Sequence, residues 1–238
     1  MREALFGELA RIESDIDTES KMAVSALAEV ADALRYPTPA KAQTIAERSL
    51  SLREASHVAD ADLVTLTARQ APVARDLRLV LALMEVAHHH GLIANQFELI
   101  SRQLKDIDAR VPDRRGTGET LAEMAALAAV QLDRAAGVFA RRDASAALQL
   151  ERDDDEIDSL NRVVFQAALT VEGEPRERAL ALGHALIARS LERIADNAVD
   201  IAEQAAFLAT GEPREFSDAS RPKAAQRAAL WPGHHHGD

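Results

Sequence analysis

An all-α fold is predicted, and three observations predict it. Hydrophobic residues make up 47% of the 238-residue chain but aromatics only 3%. The core must therefore be built from Ala, Leu, Val and Ile, the side chains of close-packed helices rather than of sandwiches or barrels. Apolar residues recur at steps of three and four along almost the whole chain, the mark of helices with one buried stripe. The interruptions are few enough to count, and the length suits one large domain or two small ones.

The elements follow in order. A first long helix ends at YPTPAKA (36–42), because prolines at 37 and 39 cannot occupy a helix interior. A second ends at QAPVARDLR (70–78), where Pro72 suits the first turn of a third helix. VPDRRGTGE (111–119), polar and Gly-containing, is the best domain boundary. Asp143 and the EGEP of 172–175 supply two more corners. The result is about six helices, arranged as two antiparallel three-helix bundles over residues 1–110 and 117–210. Beyond TGEP the periodicity fails, and 211–238, rich in Pro, Ser and charge, reads as a mobile tail.

Composition narrows the function. Cysteine is absent, which excludes disulfides, thiolate metal sites and a Cys nucleophile and suits a reducing cytoplasm. The start, MREALFGELARIESDIDTES, lacks the basic and apolar regions of a secretory signal. No run approaches the roughly 20 apolar residues that span a bilayer. The expectation is a cytoplasmic protein without membrane insertion. A net charge of −11 with no basic patch argues against nucleic acid and makes cations plausible partners.

An internal repeat is visible. The third helix carries Leu79, Leu83, Val86, Ile93, Phe97, Ile100 and Leu104 in three-four alternation, with His90 filling the missing step. The sixth carries Ile187, Leu191, Ile194, Ala198, Ile201, Ala205 and Leu208 in the same rhythm. Moving Val86 onto Ile187 places His90 on Leu191 and Phe97 on Ala198, so the seams coincide. Helical periodicity alone can produce such a coincidence.

Beside the sixth-helix seam runs a stripe of acids. Glu192, Asp196 and Asp200 advance by only about 40° per step, and Glu203 returns to about 20° from Glu192. Like charges four apart cost roughly 0.2–0.5 kcal/mol per pair, so the stripe calls for a counter-charge. Arg189 and Arg193 offer some; a metal would offer more. The fifth helix contributes ERDDDEIDSL (151–160), in which Asp154 and Asp158 lie one residue past seam positions, as Glu192 does. Antiparallel packing would bring five carboxylates together, a hard oxygen set suited to iron, manganese, magnesium or calcium better than to structural zinc. Spacing alone leaves the other reading open, that of solvated flanks making salt bridges.

A family resemblance bears on that choice. LERIADNAVDIAE (191–203) resembles the PhoU signature, RQAPVARDLRLV (69–80) resembles that family's marker opening the third helix, and DDDEIDSL (153–160) resembles its fifth-helix acidic motif. The resemblance implies two three-helix bundles related by a pseudo-twofold axis, with acidic sites binding iron or zinc. It also implies a non-enzymatic repressor of phosphate uptake and of the phosphate-starvation response, a homodimer that contacts a sensor histidine kinase and the phosphate transporter ATPase. Residue by residue, Glu192, Asp196, Asp200, Asp154 and Asp158 match the second-repeat metal motif. Manganese or magnesium are the other candidate ions.

The first repeat departs from the pattern. Gly91, Asn95 and Leu99 stand at the equivalent positions, and Ser49 and Arg53 stand where the earlier helix should carry acids. Arg53 places a cation where the family places a metal, so this site is expected to be lost; misalignment is the competing explanation. His88, His89 and His90 point about 100° apart and cannot chelate one ion, and His90 on the seam reads as bundle-facing. His234, His235 and His236 stay outside the site. Asp76 and Arg78 match the marker and, with Arg75, are assigned a packing or interface role.

Enzymatic readings find no support. There is no Gly-rich phosphate loop, no nucleophile elbow and no His-Glu-x-x-His. The rival is a metal-free helical adaptor whose acidic stripes bind a basic partner surface.

Overall fold

The computed structural model describes residues 2–107, 111–153 and 155–211. Its elements are α1 (Arg2–Arg35), α2 (Pro39–Gln70), α3 (Arg75–Asp106), α4 (Thr117–Arg141), α5 (Ala144–Asp153), α6 (Asp155–Leu169) and α7 (Pro175–Thr210), with no strand among the described residues. The chain is all-α, as expected. The helix predicted over the acidic run is described in two parts, α5 and α6, on either side of position 154. Asp154, and the tail predicted to be mobile apart from Gly211, lie outside the described residues.

Corners form where the sequence supplies caps. Pro39 occupies the first turn of α2, whose N-cap Thr38 accepts from the Lys41 amide at 3.2 Å. Pro175 does the same for α7 behind a Glu174–Glu177 capping box. Pro72 does not open α3, contrary to expectation. Ala71 and Ala74 both take positive φ, 44° and 50°, which turns the chain around Pro72 and Val73 and delays the helix to Arg75. Alanine at positive φ is strained, so this corner is held by its surroundings.

In the first half α2 packs along α3 with α1 beside them; in the second, α4, α5 and α6 pack on α7. The halves join through α1 on α4 and α3 on α7. Both seams are buried: Leu83, Val86, Ile93, Phe97 and Ile100 on α3, and Ile187, Leu191, Ile194, Ala198 and Ile201 on α7. Alanines dominate α7 and let neighbouring backbones approach closely. No helix among the described residues is long and apolar enough to cross a membrane.

One buried histidine ties α4 to α7. His184 Nδ1 lies 2.6 Å from Thr117 Oγ1, and Asp113 accepts from Thr117 Oγ1 at 3.1 Å and from the Gly118 amide at 2.7 Å. Burial pushes the His184 imidazole below its ordinary value, against the pull of Asp113. The unfolded chain therefore takes up this proton before the folded chain does, and stability falls as pH drops below the ordinary imidazole range. Thermal melts between pH 7.5 and pH 5 should show a smaller loss for His184→Gln than for the natural chain; equal losses would remove His184 from the acid response.

Candidate functional site

The acid stripe is built where α6 crosses α7. Glu192 is only 6% exposed. A carboxylate this deep in the protein needs compensation from charge or hydrogen bonds. It has both: Asn161 Nδ2 donates to Glu192 Oε2 at 2.8 Å, and the Arg189 guanidinium, one turn earlier on α7, donates to the same oxygen.

Arg189 is the centre of this charge cluster. Its pKa is lifted above the ordinary arginine value, first by the hydrogen bond to Glu192; burial opposes, and the charges of Glu192, Asp196 and Asp158 add to the rise. Three of the five predicted acids, Asp158, Glu192 and Asp196, thus act on one guanidinium, Glu192 by direct contact and the other two through their charge. Asp200 departs from them. It lies 3.7 Å from His89 Nδ1 of α3, and the same nitrogen lies 2.8 Å from Asn197 Oδ1. The end of the stripe is therefore engaged at the α3–α7 junction between the two halves. Asp154, the fifth predicted acid, lies outside the described residues. Among the described residues no three His, Asp or Glu side chains converge tightly enough to hold an ion as they stand.

Asn161 was missed in reading the sequence. It is 9% exposed, and its Oδ1 is buried with no hydrogen-bond partner. Leaving such an acceptor unpaired costs about 1–3 kcal/mol. Its spacing was a usable signal, since three residues after Asp158 it shares that residue's helix face. The orphaned amide oxygen, the buried Glu192 and the flanking Asp158 and Asp196 make an oxygen-only donor set. In kind, these donors fit a hard divalent or trivalent cation.

The first repeat is organised differently. Ser49 Oγ donates to the Ala94 carbonyl at 2.7 Å, and Arg53 bonds Glu98 at 2.5 Å. That bond is the main reason the Glu98 carboxyl sits below its ordinary range, ahead of the charges of Arg102 and Arg53. Gly91 faces Ser56, whose Oγ would stand 3.3 Å from an added Cβ, while Asn95 and Leu99 are exposed. An arginine from α2 thus stands where α6 supplies Asp158 in the second half.

His90 faces the bundle. It is fully buried, with Nδ1 2.9 Å from Glu19 Oε2 and Nε2 2.9 Å from Ser20 Oγ. The Ser-His-Glu order matches a hydrolase relay, but it is sealed inside the first half, where it fastens α3 to α1. Of the marker residues, Asp76 is half-buried in the first turn of α3, and Arg75 and Arg78 are exposed. The Arg78 guanidinium packs on Gly211, where a Cβ would come within 2.6 Å of it.

Comparison with known proteins matches this geometry to one group. The PhoU domain model matches residues 16–107 and 121–205. The chain is 28% identical over 207 residues to the phosphate-specific transport system accessory protein PhoU homolog of Rhizobium meliloti (strain 1021), covering 86% of each chain. It is 27% identical over 214 residues to PhoU homolog 2 of Mycobacterium tuberculosis, covering 89% of this chain and 99% of that one. In fold it is similar to the PhoU crystal structure from Streptococcus pneumoniae, with a TM-score of 0.80 at 19% identity over 89% of this chain and 100% of that one. The Pseudomonas aeruginosa PhoU structure gives 0.71 at 24% identity, over 88% and 97%.

Proposed function

The chain belongs to the PhoU family, and from that premise we propose that it is an accessory protein of phosphate transport, a non-enzymatic negative regulator of phosphate uptake and of the phosphate-starvation response. The observation that carries this reading is the pair of PhoU matches, which together span both helical repeats. Relatives named as accessory proteins of the phosphate-specific transport system match over most of their own length, which supports the same role here.

In this reading the chain works in the cytoplasm as a homodimer, with residues 1–110 and 117–210 as its two repeats, and acts by contact. Its partners are a phosphate-sensing histidine kinase and the ATPase of the phosphate transporter. The second repeat holds a metal ion, iron or zinc foremost, through Glu192, Asp196 and Asp158, with Asp154 and Asp200 as the remaining ligands. When bound, the ion neutralises the acids and fixes α6 against α7. The chain's own residues already prepare this: Asn161 and Arg189 orient Glu192 before any ion arrives. A metal-free adaptor is the second reading, favoured by the charge compensation that Arg189 supplies.

Capture with the full chain tests the partner assignment. The purified protein should retain both the transporter ATPase and the cytoplasmic part of the sensor kinase from the same host. Failure to retain either, with the protein folded, would contradict regulation by contact.

A further inference from the structure

Resting on the reading of the second-repeat acids as a metal site, we propose that Arg189 is a resident counter-ion that an arriving metal ion must displace, and that the amide oxygen of Asn161 becomes a ligand when it does. Two independent observations meet here. Arg189 compensates Glu192 from a half-exposed position, 46% against 8% for the Glu192 side chain, so the arginine has room to turn toward solvent while the carboxylate is largely buried. Asn161, whose amide N–H holds Glu192, leaves its oxygen buried without a donor. A cation entering among these groups satisfies that oxygen and takes over the charge compensation from the arginine.

Arginine does not give up its proton near neutral pH, so it cannot leave the site by titration. The exchange has to be a rotation of a long side chain into water, and the metal's affinity is lowered by the attraction that must be given up. A unit charge at contact distance in a half-exposed site is worth about a factor of ten or more. The first repeat shows the same substitution made permanent. Arg53 is paired with Glu98, and Gly91, Asn95 and Leu99 leave no carboxylate at the positions equivalent to Glu192, Asp196 and Asp200.

Chelator-stripped full-length protein without an added tag, titrated with Mn²⁺ and followed by electron paramagnetic resonance, tests the proposal. Mn²⁺ prefers oxygen donors, which keeps the three terminal histidines out of the reading. Arg189→Gln should bind Mn²⁺ about tenfold more tightly than the natural chain. Arg189→Lys, which keeps the charge, should stay close to it. Asn161→Ala should bind about tenfold more weakly. Without metal, Arg189→Gln should also melt lower and recover on adding Mn²⁺, because a ligand bound only by the folded state stabilises it. If the natural chain binds Mn²⁺ and neither Arg189→Gln nor Asn161→Ala changes its affinity, the displacement proposal is wrong and the metal site stands. If neither the natural chain nor Arg189→Gln binds, the metal site fails and the proposal with it.

Discussion

Replacing His90 by leucine is expected to lower the unfolding free energy by about 1–3 kcal/mol, the cost of leaving a buried polar group without its hydrogen-bond partner. That group is Glu19, only 2% exposed on α1 and bonded to His90 Nδ1 at 2.9 Å. In a chain of this length that loss corresponds to a drop in melting temperature on the order of 5 °C. Size does not explain it, since leucine fills nearly the same space and already occupies the equivalent place in the second repeat. There Leu191 stands for His90. Aligning the two family matches at their starts, residues 16 and 121, puts Met124 in place of Glu19. Both Leu191 and Met124 are fully buried.

The repeat therefore contains its own control. Glu19→Met combined with His90→Leu rebuilds the first half in the image of the second, and the double variant should recover most of the stability lost by either single change. Replacing both partners of a buried hydrogen bond by apolar groups of similar shape can be nearly neutral or stabilising. Thermal or denaturant unfolding of the four proteins closes the double-mutant cycle. Additive losses in the double variant would mean that Glu19 and His90 act separately, against the 2.9 Å geometry.

Much of this fold was legible in the sequence because helices announce themselves by period and by the residues that end them. Pro39 and Pro175 marked corners as read, each falling in the first turn of the next helix, and the polar 111–119 stretch did separate α3 from α4. Pro72 misled, because its corner depends on two alanines at positive φ, which no propensity marks. Glu19 sits three residues after the buried Ile16 and so on the core stripe, but a charged residue there becomes intelligible only once His90, 71 positions away, is seen across from it.

The site was legible to a similar depth. Spacing put Glu192 and Asp196 on one stripe, and in the structure the charges of both, and of Asp158, act on the Arg189 guanidinium. It could not show that Asp200 is drawn to His89 of the other half, since that depends on how α3 and α7 meet. Nor could it show the orphaned oxygen of Asn161, because an unsatisfied acceptor is a property of packing. Arg53 was read as a cation standing in for an acid, and in the structure it pairs with a carboxylate. Its partner Glu98 lies seven residues beyond Gly91 on α3 and was not in view.

The second large effect belongs to the cell. A regulator that represses the starvation response while phosphate is plentiful holds a whole set of genes off, so its removal should raise a phosphate-starvation reporter severalfold or more. The growth condition matters, because under starvation the response is already on and loss of the repressor has little left to change. A second PhoU-family protein in the same cell could carry the function alone, so the strain must lack every such gene and receive this one back. The measurement is reporter activity during phosphate-replete growth, compared between that strain with and without this chain. Restored repression is the result predicted here, and a reporter that stays fully on while the protein is present and folded would contradict the assignment.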